Sequence, residues 1–572
     1  MPLDVQLTFD SGADGFRVHA YEYDDALQDA FSLTLRVTHE DPALDPRDFM
    51  GRPVVVALPD ETVVQRIAGI VRRFEQRSSE PTGASRYELS VVPPVWLTRK
   101  SRDHRIFQNL SAEEICRQVI SGYGGIVPEA VLSKSPGRQV LEYRVQWGES
   151  DFDFMRRVLA EDGVTAFFDH ANGSAWTFNA RTTEGLTILS PFVPFVPPGG
   201  EALRSTSPHV SAVRITSNLA PGSKMIRDFD FQKPRFLMEK LKTTGATRLP
   251  AFGVEGDLDD YEFDVGSFTT ATDRDGDSLA TQYLEEARAG WRELSCETDF
   301  MLSAGFHWAI EGHPRSDVNA PLLVVRAHSL VAEATDGRVP VRKHTLTCVP
   351  ADVPWRPARS PKPTIAGPQT AAVVAEVAGT EIDVDDHGRV LLGFRWDRRD
   401  IAAGKPTRRV RVSQAWAGAG FGFDTMPRVG TEVVVEYLDG DPDQPLVTGR
   451  VHNAETVSPL RLPEEKTRSI WKSQSSPGGD GFNLIMMEDK KGEELLEFRA
   501  EKDKLTNVLA SHSENVGGSQ TSHVGGAVVE TYGASQFTEV ETTKTTLVGG
   551  NVSEGYGAEL KTIVAAQHRK LS

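Results

Sequence analysis

Stepping by eight from Val508, the chain places Val516, Val524, Tyr532, Val540, Val548, Tyr556 and Val564 in one register, so a single octad position holds only Val or Tyr eight times running. If any apolar residue counted, at the chain's 39% frequency, a match this long in one of eight registers arises by chance about once in 200 trials. Restricting it to two residue types makes coincidence rarer still. The next position is glycine at Gly517, Gly525, Gly533, Gly549 and Gly557, with Leu509, Glu541 and Ala565 as exceptions. This is an internal repeat.

Its physics is restrictive. Val and Tyr favour strands, and the glycine beside them allows a turn with positive φ. The rest of each octad is mainly Ser, Thr, Gln, Glu and His, so one chain buries little more than one large apolar side chain per repeat. Ordering eight residues costs about 1–2 kcal/mol each for the backbone alone, more than that burial returns. Several chains wound round a shared axis could merge their Val and Tyr rows and pair every strand edge. The repeat therefore predicts an intertwined β-helical needle, with the octad residues on the axis. A flexible Ser/Thr/Gly tail is the alternative reading.

Upstream, three further regions are expected. Residues 1–365 read as mostly β, with half-buried strands such as Tyr87-Glu-Leu-Ser-Val-Val and Ser211-Ala-Val-Arg-Ile-Thr. Two helices stand out there. One opens on the capping box Ser111-Ala-Glu-Glu114 and carries Ile115, Val119 and Ile120 on one face. The other runs from about Ser150 to Asp162 and stops at Gly163. A proline-rich linker, Trp355-Arg-Pro-Ala-Arg-Ser-Pro-Lys-Pro-Thr, ends the region. Residues 366–455 then show five candidate strands, Ala371–Ala378, Gly388–Trp396, Arg408–Gln414, Thr431–Leu438 and Pro445–Val451, which suggest an OB-fold barrel. Residues 456–507 lead from the barrel to the needle expected over 508–572.

Several function classes are disfavoured. A net charge of −18 argues against a broad nucleic-acid or anionic-membrane surface. Cys116, Cys296 and Cys348 have neither disulfide-framework nor metal-ligand spacing. The start lacks a basic segment followed by an apolar run, and the most apolar stretch, from Leu186 to Pro198, holds four prolines and cannot span a membrane as a helix. No signal peptide or spanning segment is expected, so such a chain is made in the cytoplasm and leaves only if something pushes it out.

Chemistry is equally sparse. There is no phosphate-cradling loop, no His-Glu-x-x-His and no nucleophile elbow. Asp439, Asp441 and Asp443 open like a calcium loop, but Gln444 and Arg450 stand where glycine and the closing glutamate belong. Asp273, Asp275 and Asp277 fail likewise at Ser278 and Leu284. His568 lacks a histidine two residues away on either side, where Ala566 and Lys570 stand, so an axial His-x-His metal site is not expected. No cofactor and no catalytic residue is assigned. The competing reading is an envelope hydrolase with an unrecognised site in the N-terminal region.

Motifs sharpen the first reading. Asp386-His-Gly-Arg-Val390, Phe394-Arg-Trp-Asp397, Val410-Arg-Val-Ser-Gln-Ala-Trp-Ala-Gly418, Pro427-Arg-Val-Gly-Thr-Glu-Val433 and Gly440-Asp-Pro-Asp-Gln-Pro445 resemble the barrel of the VgrG family of type VI secretion spikes. Gly478-Gly-Asp-Gly-Phe-Asn483 with Glu488-Asp-Lys-Lys-Gly-Glu-Glu494 is similar to that family's neck. Arg105-Ile-Phe-Gln108, Glu149-Ser-Asp-Phe-Asp-Phe154, Ala160-Glu-Asp-Gly-Val164, Phe168-Asp-His170 and Arg227-Asp-Phe-Asp-Phe231 look like its hub. Tyr261-Glu-Phe-Asp-Val-Gly266 departs from the usual Tyr-Pro-Gly turn. The resemblance implies a non-enzymatic homotrimer with an N-terminal hub on a hexameric Hcp-type tube, a PAAR-type cap on the tip, baseplate contacts and toxin effectors as cargo. Sheath contraction would expel it.

Overall fold

The structure, a computed structural model, describes residues 3–58, 65–79, 83–134, 140–184, 186–197, 208–247, 249–263, 276–334, 340–398 and 407–563. The chain divides into two compact units, Met1–Arg499 and Ala500–Ser572.

In the first unit the N-terminal strands are joined to strands three hundred residues later. Arg17–Ala26 pairs with Ser32–His39 on one side and with Pro321–Ala332 on the other, making them members of one twelve-stranded sheet. Alternating residues of these strands, among them Tyr23, Leu33, Leu35 and Leu89, turn into one core. The segment Tyr87–Val92 goes further than the half-burial its alternation suggests. In Ser85–Val92 every described position but Arg86 is buried, because both faces of that strand are covered. The apolar run from Leu186 is a strand, Leu186–Pro194, parallel to Phe306–Glu311.

Both expected helices form where their caps predict. Ala112–Ser121 starts at Ser111, whose Oγ accepts the Glu114 N–H at 3.4 Å while Glu114 Oε2 accepts the Ser111 N–H at 2.9 Å. Asp151–Glu161 starts at Ser150 and stops at Gly163, φ +66°, where a Cβ would lie 2.5 Å from Gln282 Cδ. A third helix, Gly276–Ala287, carries no comparable opening signal in the sequence. It packs on a three-stranded sheet formed by Ser223–Asp228, Met238–Thr243 and Asp259–Phe263.

The hub motifs turn out to be a buried ionic lattice. Arg157 on the second helix reaches Glu149 Oε1 and Glu161 Oε1, both at 2.8 Å, and Arg144 reaches Asp162 Oδ1 at 2.5 Å. Arg105 binds Asp151 and also donates through Nε to Gln146 Oε1 at 2.5 Å. Burial pushes the Glu161 carboxyl up, but Arg157, Lys362 and Arg144 outweigh it and hold the group at about 2. Charges removed from water in this way persist only when matched.

The barrel sheet runs in the order Leu391–Phe394, Gln369–Val374, Glu432–Tyr437, Pro445–Val451. The expected strand at Arg408–Gln414 is not a ladder strand. Instead it closes the sheet by isolated bridges, Val390 to Val410 on one side and Val412 to Val447 on the other. Ala371, Val373, Leu392, Phe394, Val433 and Val447 fill the interior. The turn at Asp439–Asp443 is a joint between domains, in which buried Asp443 Oδ1 accepts the Val145 N–H of the hub at 2.7 Å.

Candidate functional site

Three places expose apolar side chains that a self-sufficient chain would bury. The first is a hairpin absent from the five expected strands, Trp416–Gly418 paired with Phe421–Phe423. All six of its strand residues are exposed, and Trp416 meets Phe421 edge-on at 5.8 Å. Glycine is required at Gly422, φ +150°, because a Cβ there would fall 2.4 Å from the Trp416 carbonyl oxygen. Phe423 continues to Trp471, 5.1 Å away.

Trp471 belongs to the second place, the neck sheet of Arg468–Lys472, Leu484–Glu488 and Leu495–Arg499. Its register sets Trp471 opposite Ile485, which faces Phe498, and Ser469 opposite Met487, which faces Leu496. Strand side chains alternate between faces, so these six share one. Five of them are exposed and Ile485 is half-buried, whereas the opposite face includes buried Met486. An apolar sheet face of this kind marks an interaction surface.

The third is the octad segment, in the second unit. No residue from 500 to 563 belongs to a helix or strand, so the strands expected there do not form within one chain. The backbone instead bends every eight residues, at Leu509, Gly517, Gly525, Gly533, Glu541, Gly549 and Gly557, each directly after an octad residue. The register is the least exposed set among the segment's large apolar side chains. Val508, Val516, Val524, Tyr532, Val540, Val548 and Tyr556 are 41–54% exposed, below Leu560, Val528 and Val552 at 58–65% and well below Leu505, Leu509, Val529, Phe537 and Leu547, which exceed 85%. Val564, the eighth position, lies outside the described residues, as do Ala565 and His568.

One expectation about this segment is corrected. Gly517, Gly525, Gly533, Gly549 and Gly557 bend the chain without positive φ, and a Cβ on any of them would meet open space. Leu509 and Glu541 make the same bend with side chains, which a left-handed turn would have disfavoured.

The hub holds one arrangement that superficially suits a hydrolase. Ser174 Oγ lies 2.7 Å from His170 Nδ1, His170 Nε2 lies 2.8 Å from the Tyr23 hydroxyl, and Tyr23 donates to Asp25 Oδ2 at 3.0 Å. All four residues are buried, and burial drives the His170 imidazole down to about 3, the wrong direction for a general base near neutral pH. Burial likewise lifts the Asp25 carboxyl to about 6. The network ties the strand Arg17–Ala26 to the turn from His170 to Ser174. The carboxylates of Glu22 and Asp24 and the His328 imidazole lie together on the hub sheet, with His328 Nδ1 2.8 Å from Asp24 Oδ1, and are partly solvated.

Comparison with known proteins agrees with this layout. Residues 24–335 match the phage tail baseplate hub (GPD) model, 370–452 the type VI secretion system/phage-baseplate injector OB domain, and 469–571 the bacteriophage T4 gp5 C-terminal trimerisation domain. The type VI secretion system spike protein VgrG1a of Pseudomonas aeruginosa is 33% identical over 90% of this chain and 80% of its own length. VgrG1b of the same organism is 34% identical over 89% of this chain and 69% of its own length. Among solved structures, the E. coli c3393 protein, described as a type VI secretion component similar to T4 tail proteins gp27 and gp5, superposes with a TM-score of 0.55 at 18% identity. That alignment covers 78% of this chain and 100% of that one, and it shows a shared fold. By the hub and OB-domain matches, the trimerisation domain and the identity to full-length spike proteins, the chain belongs to the VgrG family of type VI secretion spikes.

Proposed function

We propose that the chain is the puncturing spike of a type VI secretion apparatus and acts as a homotrimer without chemistry of its own. Residues 1–365 form the hub on an Hcp-type tube, 366–455 the OB collar, 456–507 the neck and 508–572 the needle, which takes a PAAR-type cap. Toxin effectors and baseplate components are its other partners. It is assembled in the cytoplasm and expelled by sheath contraction.

The observation that carries this reading is the exposure pattern of the octads. A row from Val508 to Tyr556 that is the least exposed apolar set of its segment, yet still about half exposed, is the signature of a surface awaiting identical neighbours. Val564 continues the row by register. Three chains about a closed axis supply the missing ladder partners and cover the Val and Tyr side chains. The glycines then serve close approach between chains, which explains why no contact within one chain demands them. The Trp471, Ile485 and Phe498 face of the neck fits the same symmetry.

The test mixes purified chain with a purified Hcp-type tube and images the mixture by electron microscopy. Trimers seated on tube ends support the proposal. Tubes with bare ends at saturating protein, or protein bound indifferently along their sides, contradict it.

A further inference from the structure

A cavity of about 500 Å³ opens where the barrel meets the hub. Its volume lies in the range of small-molecule sites, and boundaries between domains are where such sites concentrate. The barrel contributes Arg389, Arg408 and Arg411, and the hub contributes Tyr143 and Phe231. Phe231 has the guanidinium of Arg411 4.9 Å and that of Arg389 5.3 Å from its ring centre, with the His387 ring edge-on at 5.4 Å. Arg408 lies 5.1 Å from the centre of the Tyr143 ring.

These cations are unequally matched. Arg389 Nε has Asp385 Oδ2 at 2.6 Å. Arg408 gives Nη2 to the Asp443 carbonyl at 2.9 Å and stands 3.8 Å from Glu142, but its buried Nε finds no acceptor among the described residues. Arg411 is half-buried, and no carboxylate among the described residues pairs with it. Burial first, then Arg408 and Arg389, push its pKa down. Acids among the other lining residues are already engaged, and buried Asp230 accepts the Gln232 N–H at 2.9 Å. Glu262 takes two bonds from Arg359, at 2.8 and 2.9 Å, and Lys224 at 2.7 Å, while Glu286 binds Arg359 Nε at 2.6 Å. Asp443 accepts from the hub backbone. The lining therefore holds acids that have partners of their own, beside Arg411 and Arg408 Nε, which lack them among the described residues and lie against the Phe231 and Tyr143 rings. Guanidinium forks on such platforms are suited to holding phosphate and carboxylate oxygens.

We propose that this cleft binds a small ligand bearing an oxyanion, of the phosphate or carboxylate class, through Arg408 and Arg411, with Phe231 and Tyr143 flanking it. The site is complete within one chain and so stands apart from the assembly reading.

Calorimetry on the full-length protein tests it, with pyrophosphate and citrate as probes. Saturable binding of one probe per chain is expected, weakened about tenfold or more by Arg411→Gln and by Arg408→Gln. The tighter probe identifies the class. Thermal melting separates this from a purely structural role. If Arg411 serves only to grip Phe231, Arg411→Gln lowers the melting temperature in anion-free buffer. If it serves an anion, the variant melts no lower than the parent and loses the rise that the probe gives the parent. Absence of binding by both probes overturns the proposal. So does equal affinity in parent and both variants, or a structure of the assembled protein with a side chain from a second copy filling the cleft.

Discussion

The hub and the octad segment solve the same problem in opposite ways. Leu33, Leu35, Leu89 and Phe154 are wholly covered by their own chain, whereas Val524 and Tyr532 remain about half exposed. The hub carries strong charges inward and matches them, as Arg157 does with Glu149 and Glu161. The octads keep charge outside and depend on a recurring Val or Tyr. The first region is stabilised by variety within one chain, the second by repetition among chains. It follows that the two should fail independently.

The largest effect is expected from Val524→Asp combined with Val540→Asp. Three copies of each carboxylate would be forced onto one axis, each costing several kcal/mol without a partner. Native mass spectrometry should find the assembly lost while the hub's melting transition stays in place. A double variant that remains fully trimeric contradicts the shared axis. The converse break is Arg157→Ala, which strands Glu149, leaves Glu161 only the more distant Arg144 at 3.9 Å and Lys362, and should cost the hub about 3–5 kcal/mol in chemical denaturation. The octads' assembly should survive it.

A smaller effect sharpens where chains meet. Truncating Trp471 or Phe498 to Ala should weaken association by about 2 kcal/mol or more, read as a shift in the concentration at which chains separate. Neither should move the hub transition.

The pH response belongs to the hub. His170, held near 3 against an ordinary 6.5, makes stability fall as pH drops below 6.5 toward 3. Asp25, raised to about 6 from 3.8, acts oppositely, and its contribution grows as pH falls through 6 and is complete below 3.8. The two offset one another between pH 6 and 4. Asp25→Asn should therefore expose a loss of stability as pH falls through that window, and His170→Gln should leave a gain, in melting curves taken across the range. Smallest of all, Ser111→Ala removes a helix cap and should cost about 1 kcal/mol, seen as faster amide exchange in Ala112–Ser121.

What could be read from the sequence followed local rules. The caps at Ser111 and Ser150 and the stop at Gly163 placed two helices, because each is decided by neighbours a few residues apart. The barrel's four ladder strands are legible in the sequence, but Arg408–Gln414, expected as a fifth, supplies only the bridges that close the barrel. The ionic lattice was invisible. Arg144 and Arg157 look like solvated charges until distant elements bury them. The Trp416–Phe423 hairpin escaped notice because its glycines mask strand character and its aromatics face outward. The octad register was plain, yet the positive φ expected of its glycines was not found, since a bend that Leu509 and Glu541 can also make needs no left-handed residue.

The central claim is that the repeat is completed only by other copies of the chain. Light scattering on the purified full-length protein tests it most directly. Three chains of 62.8 kDa give about 188 kDa, and that mass should hold on dilution. A stable species of 62.8 kDa would contradict the account, because the octads would then persist without the neighbours that their exposed Val and Tyr row requires.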